Sequence, residues 1–200
     1  MLGNLAGRRC LAPQSARALS SSSASSSYVR TRLAEPRDYE AAMCILQPFL
    51  ERLGKLETAA EQARARALFD ELCTQRRGAV TLAEDAASGA LLGVATQSFN
   101  VAMRYAKGSA AAEYSCLEEL IVGAAGRGKG VGKVLVQATI DAARRRGCAR
   151  MGLYVASGLT SQPFYEKIGF VFDENGPPAT WGHMQLSEDG GDGHELRAKL

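Results

Sequence analysis

An α+β domain is predicted, built on a mixed, mostly antiparallel central sheet with flanking helices and one parallel βαβ unit. Two observations predict it. Short runs with strand alternation and longer runs with helical spacing succeed each other as a strand, two helices, a three-strand meander, a helix, a strand, a helix and two further strands. Within that order, strand, helix and strand follow one another between 114 and 156, which implies one parallel crossover in a sheet otherwise joined by turns.

YVRTRLA, residues 28 to 34, alternates and carries β-branched and aromatic side chains, a first strand. EPRDYEAAMCILQPFLERLG follows, with Pro36 at a helix-start position, apolar residues at helical spacing, Pro48 as a break or kink and Gly54 as a stop. Thr58 and Glu61 have capping-box spacing ahead of a helical pattern through Ala63, Ala67, Leu68 and Leu72 that ends at Gly78. AVTLAED and ALLGVATQSF, divided by AASG, read as a hairpin, and residues 100 to 111 as a loop. YSCLEELIV, 114 to 122, is a strand, and VGKVLVQATIDAARRRG is an amphipathic helix closed by cations and Gly147. ARMGLYVAS is the next strand, SQPFYEKIG a short helix, and FVFDE and TWGHMQL the last strands. The domain is expected over 28–187, with a flexible tail over 188–200.

The 200 residues can bury one core of ordinary size, and 46% apolar with 22% charged content is that of a soluble globular protein. No apolar run approaches the roughly eighteen residues of a membrane helix, so no membrane partner is expected. Cys10, Cys44, Cys73, Cys116 and Cys148 are odd in number and contain no C-x-x-C pair, against both a zinc site and a disulfide framework. Ahead of Glu35 there is no acidic residue, while Arg8, Arg9, Arg17, Arg30 and Arg32 and the tract SSSSASSS at 20 to 27 are present. That composition over 1–27 is that of an organellar transit peptide, mitochondrial before plastid; read instead as a plain disordered tail it leaves the protein cytoplasmic. Taking those five charges from the net +3 leaves the remaining chain near −2. A nucleic-acid partner is therefore not expected.

The most informative stretch is GAAGRGKGVGKVLVQ, 123 to 137, because a glycine-rich turn feeding a helix offers unpaired amides and a dipole to an anion. A mononucleotide P-loop would need Gly where Arg127 stands and a hydroxyl where Val134 stands, and a dinucleotide fingerprint would need Gly in place of Lys133. R-x-x-G-x-G fits, with Arg127, Gly130 and Gly132, and resembles the acetyl-CoA pyrophosphate loop of the GNAT N-acetyltransferase superfamily. Two further blocks agree in order and spacing. LEELIV is similar to the superfamily's fourth strand, and PFYEKIGF to its C-terminal block around a tyrosine.

The resemblance implies the GNAT fold and acetyl-CoA as acyl donor, bound by Arg127, Gly128, Lys129, Gly130, Val131, Gly132 and Lys133. It also implies that the strand ending at Val122 splays from its parallel neighbour, with amides near Ile121 and Val122 receiving the thioester carbonyl. Acetyl transfer to an amine needs one proton removed from the ammonium and one supplied to the departing thiolate. Glu118 and Glu119 precede Val122, and strand alternation lets only one of them face the cleft. Glu118 is favoured as base because LEELIV looks like the corresponding segment of diamine acetyltransferases, and Tyr165 of PFYEKIGF matches the superfamily's general acid. Cys116 is read as a buried small hydrophobe, and His183 and His194 lie outside every block, so no metal is expected. The sequence departs from the family at Ala124 and Gly126, commonly Pro and a large residue, and at Gly158, often Asn.

The implied function is acetyl transfer to a primary amine by direct attack in a ternary complex, with a small-molecule amine as acceptor. The two N-terminal helices and the 100 to 113 segment, with Tyr105 and Glu113, would form the acceptor walls. A protein or peptide acetyltransferase and a non-catalytic acyl-CoA-binding sensor remain the alternatives, and a homodimer is left open.

Overall fold

The computed structural model describes residues 28–51, 58–74, 77–102, 112–156, 161–172 and 179–186. Residues 1–27, expected as a transit peptide, residues 188–200, expected as a tail, and Gly54, Tyr105 and Gly158 lie outside them. Seven strands form one sheet: β1 (Val29–Leu33), β2 (Gly78–Asp85), β3 (Leu91–Ala102), β4 (Ala112–Val122), β5 (Arg150–Ala156), β6 (Val171–Phe172) and β7 (Ala179–Gln185). They run in the order β1-β2-β3-β4-β5-β7-β6, antiparallel throughout except for β4 against β5. The helices are α1 (Tyr39–Leu50), α2 (Ala59–Thr74), α3 (Val131–Arg145) and α4 (Gln162–Glu166). The expected α+β architecture with one parallel crossover is present, and α3 is the crossover.

Strand alternation divides the core into two layers. Val80, Leu82 and Val94 pack with Tyr39, Ala42, Leu46 and Phe69 of α1 and α2 on one face. Their neighbours Ala83 and Ala95, with Leu117, Met151 and Leu153, meet Leu135, Val136 and Ile140 of α3 on the other. Each of these large side chains, fully buried, contributes roughly 1.5–3 kcal/mol of hydrophobic stabilisation. Gly93 brings α3 close to the sheet, since a Cβ there would stand 3.0 Å from both the Ile121 carbonyl and the Leu135 side chain.

Local signals place the helix ends. Thr58 N–H donates to the Glu61 carboxylate at 2.9 Å and Glu61 N–H to Thr58 Oγ1 at 3.2 Å, closing the capping box that starts α2. At the end of α3, Gly147 adopts φ +80 and donates to the Arg144 carbonyl at 2.9 Å, while Cys148 N–H reaches Ala143 at 3.0 Å. That pair of bonds is a Schellman motif, for which a left-handed glycine is the natural residue. Asp85 organises the β2–β3 turn by accepting from the amides of Ala87 and Ser88 and from Ser88 Oγ.

Three boundaries differ from expectation. Pro36 starts a single 3₁₀ turn, Pro36–Asp38, and α1 proper begins at Tyr39. Pro48 does not break α1 at its own position, since the helix runs two residues further, to Leu50. The segment expected as a loop from 100 is strand as far as Ala102, and β4 resumes at Ala112.

Candidate active site

The β4–β5 ladder pairs Tyr114 with Arg150 through Leu117 with Leu153, and there it stops. Strand β4 continues five residues further, to Val122, and β5 three further, to Ala156. The two parallel strands therefore part, leaving the β5 side of upper β4 without a strand partner among the described residues. Gly123 N–H donates to Leu92 of β3 at 2.9 Å. Since peptide directions alternate along a strand, the Ile121 amide also turns to β3, while the Val122 amide turns into the gap. Of the two residues expected to supply amides there, only Val122 does so; Ile121 packs its side chain against the α1–α2 core.

A β-bulge marks the parting point. Thr96 of β3 pairs with Glu119 and Gln97 with Leu117, so Glu118 is an extra residue without a cross-strand partner. The bulge means that strand alternation does not send Glu118 and Glu119 to opposite faces of the sheet. Thr96 and Ser98 share one face of β3, so their partners Glu119 and Cys116 project to that same face. Glu118, freed from the ladder, accepts a hydrogen bond from Ser98 Oγ and so lies there too. Both carboxylates thus stand on the α1–α2 side of the sheet.

Their surroundings differ. Glu118 is exposed, whereas Glu119 is half-buried and its amide donates to Thr96 Oγ1 at 3.1 Å. Burial, followed by repulsion from Glu118, raises the Glu119 carboxyl above the ordinary range. Cys116 lies beneath them, 6% exposed, and burial together with both carboxylates pushes its thiol up to about 12. A thiol so strongly protonated is a small hydrophobe rather than a nucleophile, as its sequence context suggested.

The glycine loop closes the other side of the gap. A 3₁₀ turn at Ala124–Gly126 leads to Gly128 and Gly130, at φ +73 and +74, and Gly130 is the N-cap of α3. Left-handed backbone at two nearby positions is what glycine supplies. The first amides of α3, from Val131 onward, have no partner within the helix and carry the positive end of its dipole. They open onto a hollow of about 290 Å³. Of the residues expected to bind the pyrophosphate, Arg127, Gly128, Gly130, Val131, Gly132 and Lys133 line it, together with Val122; Lys129 does not. Gly126 and Phe164 also line it and were not anticipated. A Cβ on Gly126 would come within 2.8 Å of the Leu92 carbonyl, so the departure from the family's large residue is matched by a tight seat on β3.

Helix α4 carries Tyr165 to this region. Phe164 touches the position a Gly132 side chain would occupy, at 3.5 Å, so α4 abuts the start of α3. The Tyr165 ring packs edge-to-face on Phe164 and Phe170, with centroids 5.0 and 5.9 Å away. Burial pushes its phenol up to about 12, so at neutral pH it is a hydrogen-bond donor that holds its proton. Glu113, expected in an acceptor wall, instead pairs with Arg146 at 2.9 Å beyond the far end of α3. Among the described residues no cluster of metal-ligating side chains occurs.

The described residues suit a phosphorylated donor carrying a thioester: a helix dipole, glycine amides and cations line one hollow together with Val122, whose strand amide is unpaired, and α4, which carries the protonated Tyr165 phenol, abuts it through Phe164. The comparisons with known proteins agree. The model of the acetyltransferase (GNAT) family matches residues 46–170, and the chain belongs to that family. It is an N-acetyltransferase of a family that uses acetyl-CoA. Glucosamine 6-phosphate N-acetyltransferase 1 of Oryza sativa subsp. japonica is 33% identical over 123 residues, 61% of this chain and 70% of that protein. The fold is shared with an acetyltransferase of Trypanosoma brucei (TM-score 0.58, 21% identity, 74% of this chain and 96% of that one). It is also shared with the PaiA N-acetyltransferase of Thermoplasma acidophilum in complex with coenzyme A (TM-score 0.56, 15% identity, 78% and 98%).

Proposed function

We propose that this protein transfers the acetyl group of acetyl-CoA to the primary amine of a small cationic molecule, by direct attack in a ternary complex. The observation that carries the reading is the bulge at the mouth of the parted strands, which turns two carboxylates toward one face. Glu119 is destabilised as an anion by burial and by Glu118, and no cation among the described residues offsets it. An arriving ammonium relieves that repulsion and is drawn to the cleft.

In this reading the α3 amides with Arg127 and Lys133 hold the pyrophosphate, and Val122 N–H donates to the thioester carbonyl as negative charge develops on it. Glu118 takes the proton from the ammonium, directly or through water, and the neutral amine attacks the carbonyl carbon. The carbon–sulfur bond then breaks, Tyr165 gives its proton to the departing thiolate, and the second proton shed by the acylated nitrogen returns through water to the phenolate. Lys129 adds charge near the loop without lining the hollow. The Arg- and Ser-rich segment 1–27 supports an organellar, mitochondrial address for this activity.

An amino-sugar phosphate is the second acceptor reading, favoured by the activity for which the rice relative is named. The discriminating experiment is thiol release from acetyl-CoA with spermidine, glucosamine 6-phosphate or a basic peptide as acceptor. Faster release with spermidine is expected. Release confined to the sugar phosphate moves the second reading ahead, and release confined to the peptide rejects both small-molecule readings.

A further inference from the structure

Glu118 has no partner in the β3–β4 ladder and is exposed, so its side chain would be expected to sample many rotamers. It is held instead. Ser98 Oγ donates to Glu118 Oε1, and Asn100 Nδ2 donates to the same Ser98 oxygen at 3.0 Å. Residues 98 and 100 are two apart on β3 and share one face, the face to which the bulge delivers Glu118. A hydroxyl has a single proton, and a carboxylate can only accept. With the Asn100 amide occupying a lone pair of Ser98, that proton is committed to Glu118.

We infer that Ser98 and Asn100 are positioning residues for the proton transfer: the relay from Asn100 through Ser98 fixes the Glu118 carboxylate beside the parted strands. The inference rests on the reading of Glu118 as base. Because Ser98 occupies one carboxylate oxygen, the other takes the proton from the ammonium or from an intervening water. The bulge alone does not secure this geometry. It releases Glu118 from the ladder, and the two β3 side chains then recapture it in one orientation. A base whose rotamer is fixed needs no reordering when the amine arrives.

The test uses the full chain and thiol release from acetyl-CoA with whichever of spermidine and glucosamine 6-phosphate reacts faster. Ser98→Ala is expected to lower kcat roughly tenfold, the size of one charge-assisted hydrogen bond, with KM for acetyl-CoA unchanged. Ser98→Thr keeps the hydroxyl and should restore most of the rate. Asn100→Asp should be worse than Asn100→Ala, because a carboxylate at 100 would take the Ser98 proton away from Glu118. In a Glu118→Gln background the Ser98→Ala change should cost little more. Wild-type kcat in Ser98→Ala, with Glu118→Gln inactive, overturns the positioning role and leaves the base reading standing. A Ser98→Ala loss that persists undiminished beside Glu118→Gln also overturns it, since Ser98 would then act elsewhere. Wild-type turnover in Glu118→Gln removes the base reading and this inference together.

Discussion

Gly126 and Gly128 stand two residues apart in the loop, yet alanine at each should fail for different reasons. At Gly128 the backbone sits at φ +73, and a Cβ would meet nothing within 4 Å. The cost there is purely conformational, about 1–2 kcal/mol for a left-handed L-residue. It is offset by about 0.4–1 kcal/mol from the stiffer unfolded chain. Gly126→Ala carries no positive-φ cost, but its Cβ would lie 2.8 Å from the Leu92 carbonyl and 3.1 Å from a Val122 methyl. The nearer atom is backbone in a central strand and cannot rotate away. Overpacking of this kind costs about 1–3 kcal/mol, and for a chain of this size each kcal/mol lowers Tm by about 2–4 °C. Gly126→Ala should therefore lose roughly 2–12 °C and Gly128→Ala no more than about 6 °C. Because Gly126 seats the loop against Val122, Gly126→Ala should also shrink the rise in Tm given by saturating acetyl-CoA. Differential scanning fluorimetry with and without acetyl-CoA reads both effects. A Gly126→Ala protein with wild-type Tm and a wild-type acetyl-CoA shift would refute the reasoning.

Other consequences are equally concrete. Asp38 accepts from both Arg32 terminal nitrogens at 2.7 and 2.8 Å, and that hydrogen bonding holds its carboxyl down at about 2. Its stabilisation is thus complete above the ordinary aspartate range and lost as pH falls through about 2; Asp38→Asn should cost about 1–3 kcal/mol in urea denaturation at pH 7, with the gap closing in acid. Glu119 has the opposite sign. Its raised carboxyl stabilises the fold least once ionised, so Glu119→Gln should raise Tm at pH 8, and by less near pH 4. With the Cys116 thiol pushed up to about 12, Cys116→Ala should keep turnover within about threefold, and double-reciprocal plots should intersect rather than run parallel, as direct transfer requires. The phenol of Tyr165, likewise up at about 12, should produce no alkaline decline in rate below about pH 10.

What could be read from the chain alone depended on how local the physics is. Thr58 with Glu61, Gly147, and the glycines at 128 and 130 act through neighbouring backbone, so spacing alone announces them. The parallel crossover was legible because a strand, a helix and a strand leave few alternatives. The bulge at Glu118 was not legible, because the opposite strand sets it. Thr96, 23 residues away in sequence, takes the amide of Glu119, and nothing in LEELIV predicts that. The same nonlocality hid Ser98 and Asn100, which looked like ordinary residues of a hairpin strand. It also misplaced Glu113, whose partner Arg146 lies 33 positions further on.

We propose acetyl transfer beside the Val122 amide, with Glu118 as base and Tyr165 as acid. Its most direct test is the rate of thiol release from acetyl-CoA, with the best small amine, for wild type, Glu118→Gln and Tyr165→Phe. A loss of roughly a hundredfold or more is expected in each variant, with the acetyl-CoA shift in Tm retained. Wild-type turnover in both variants would contradict it.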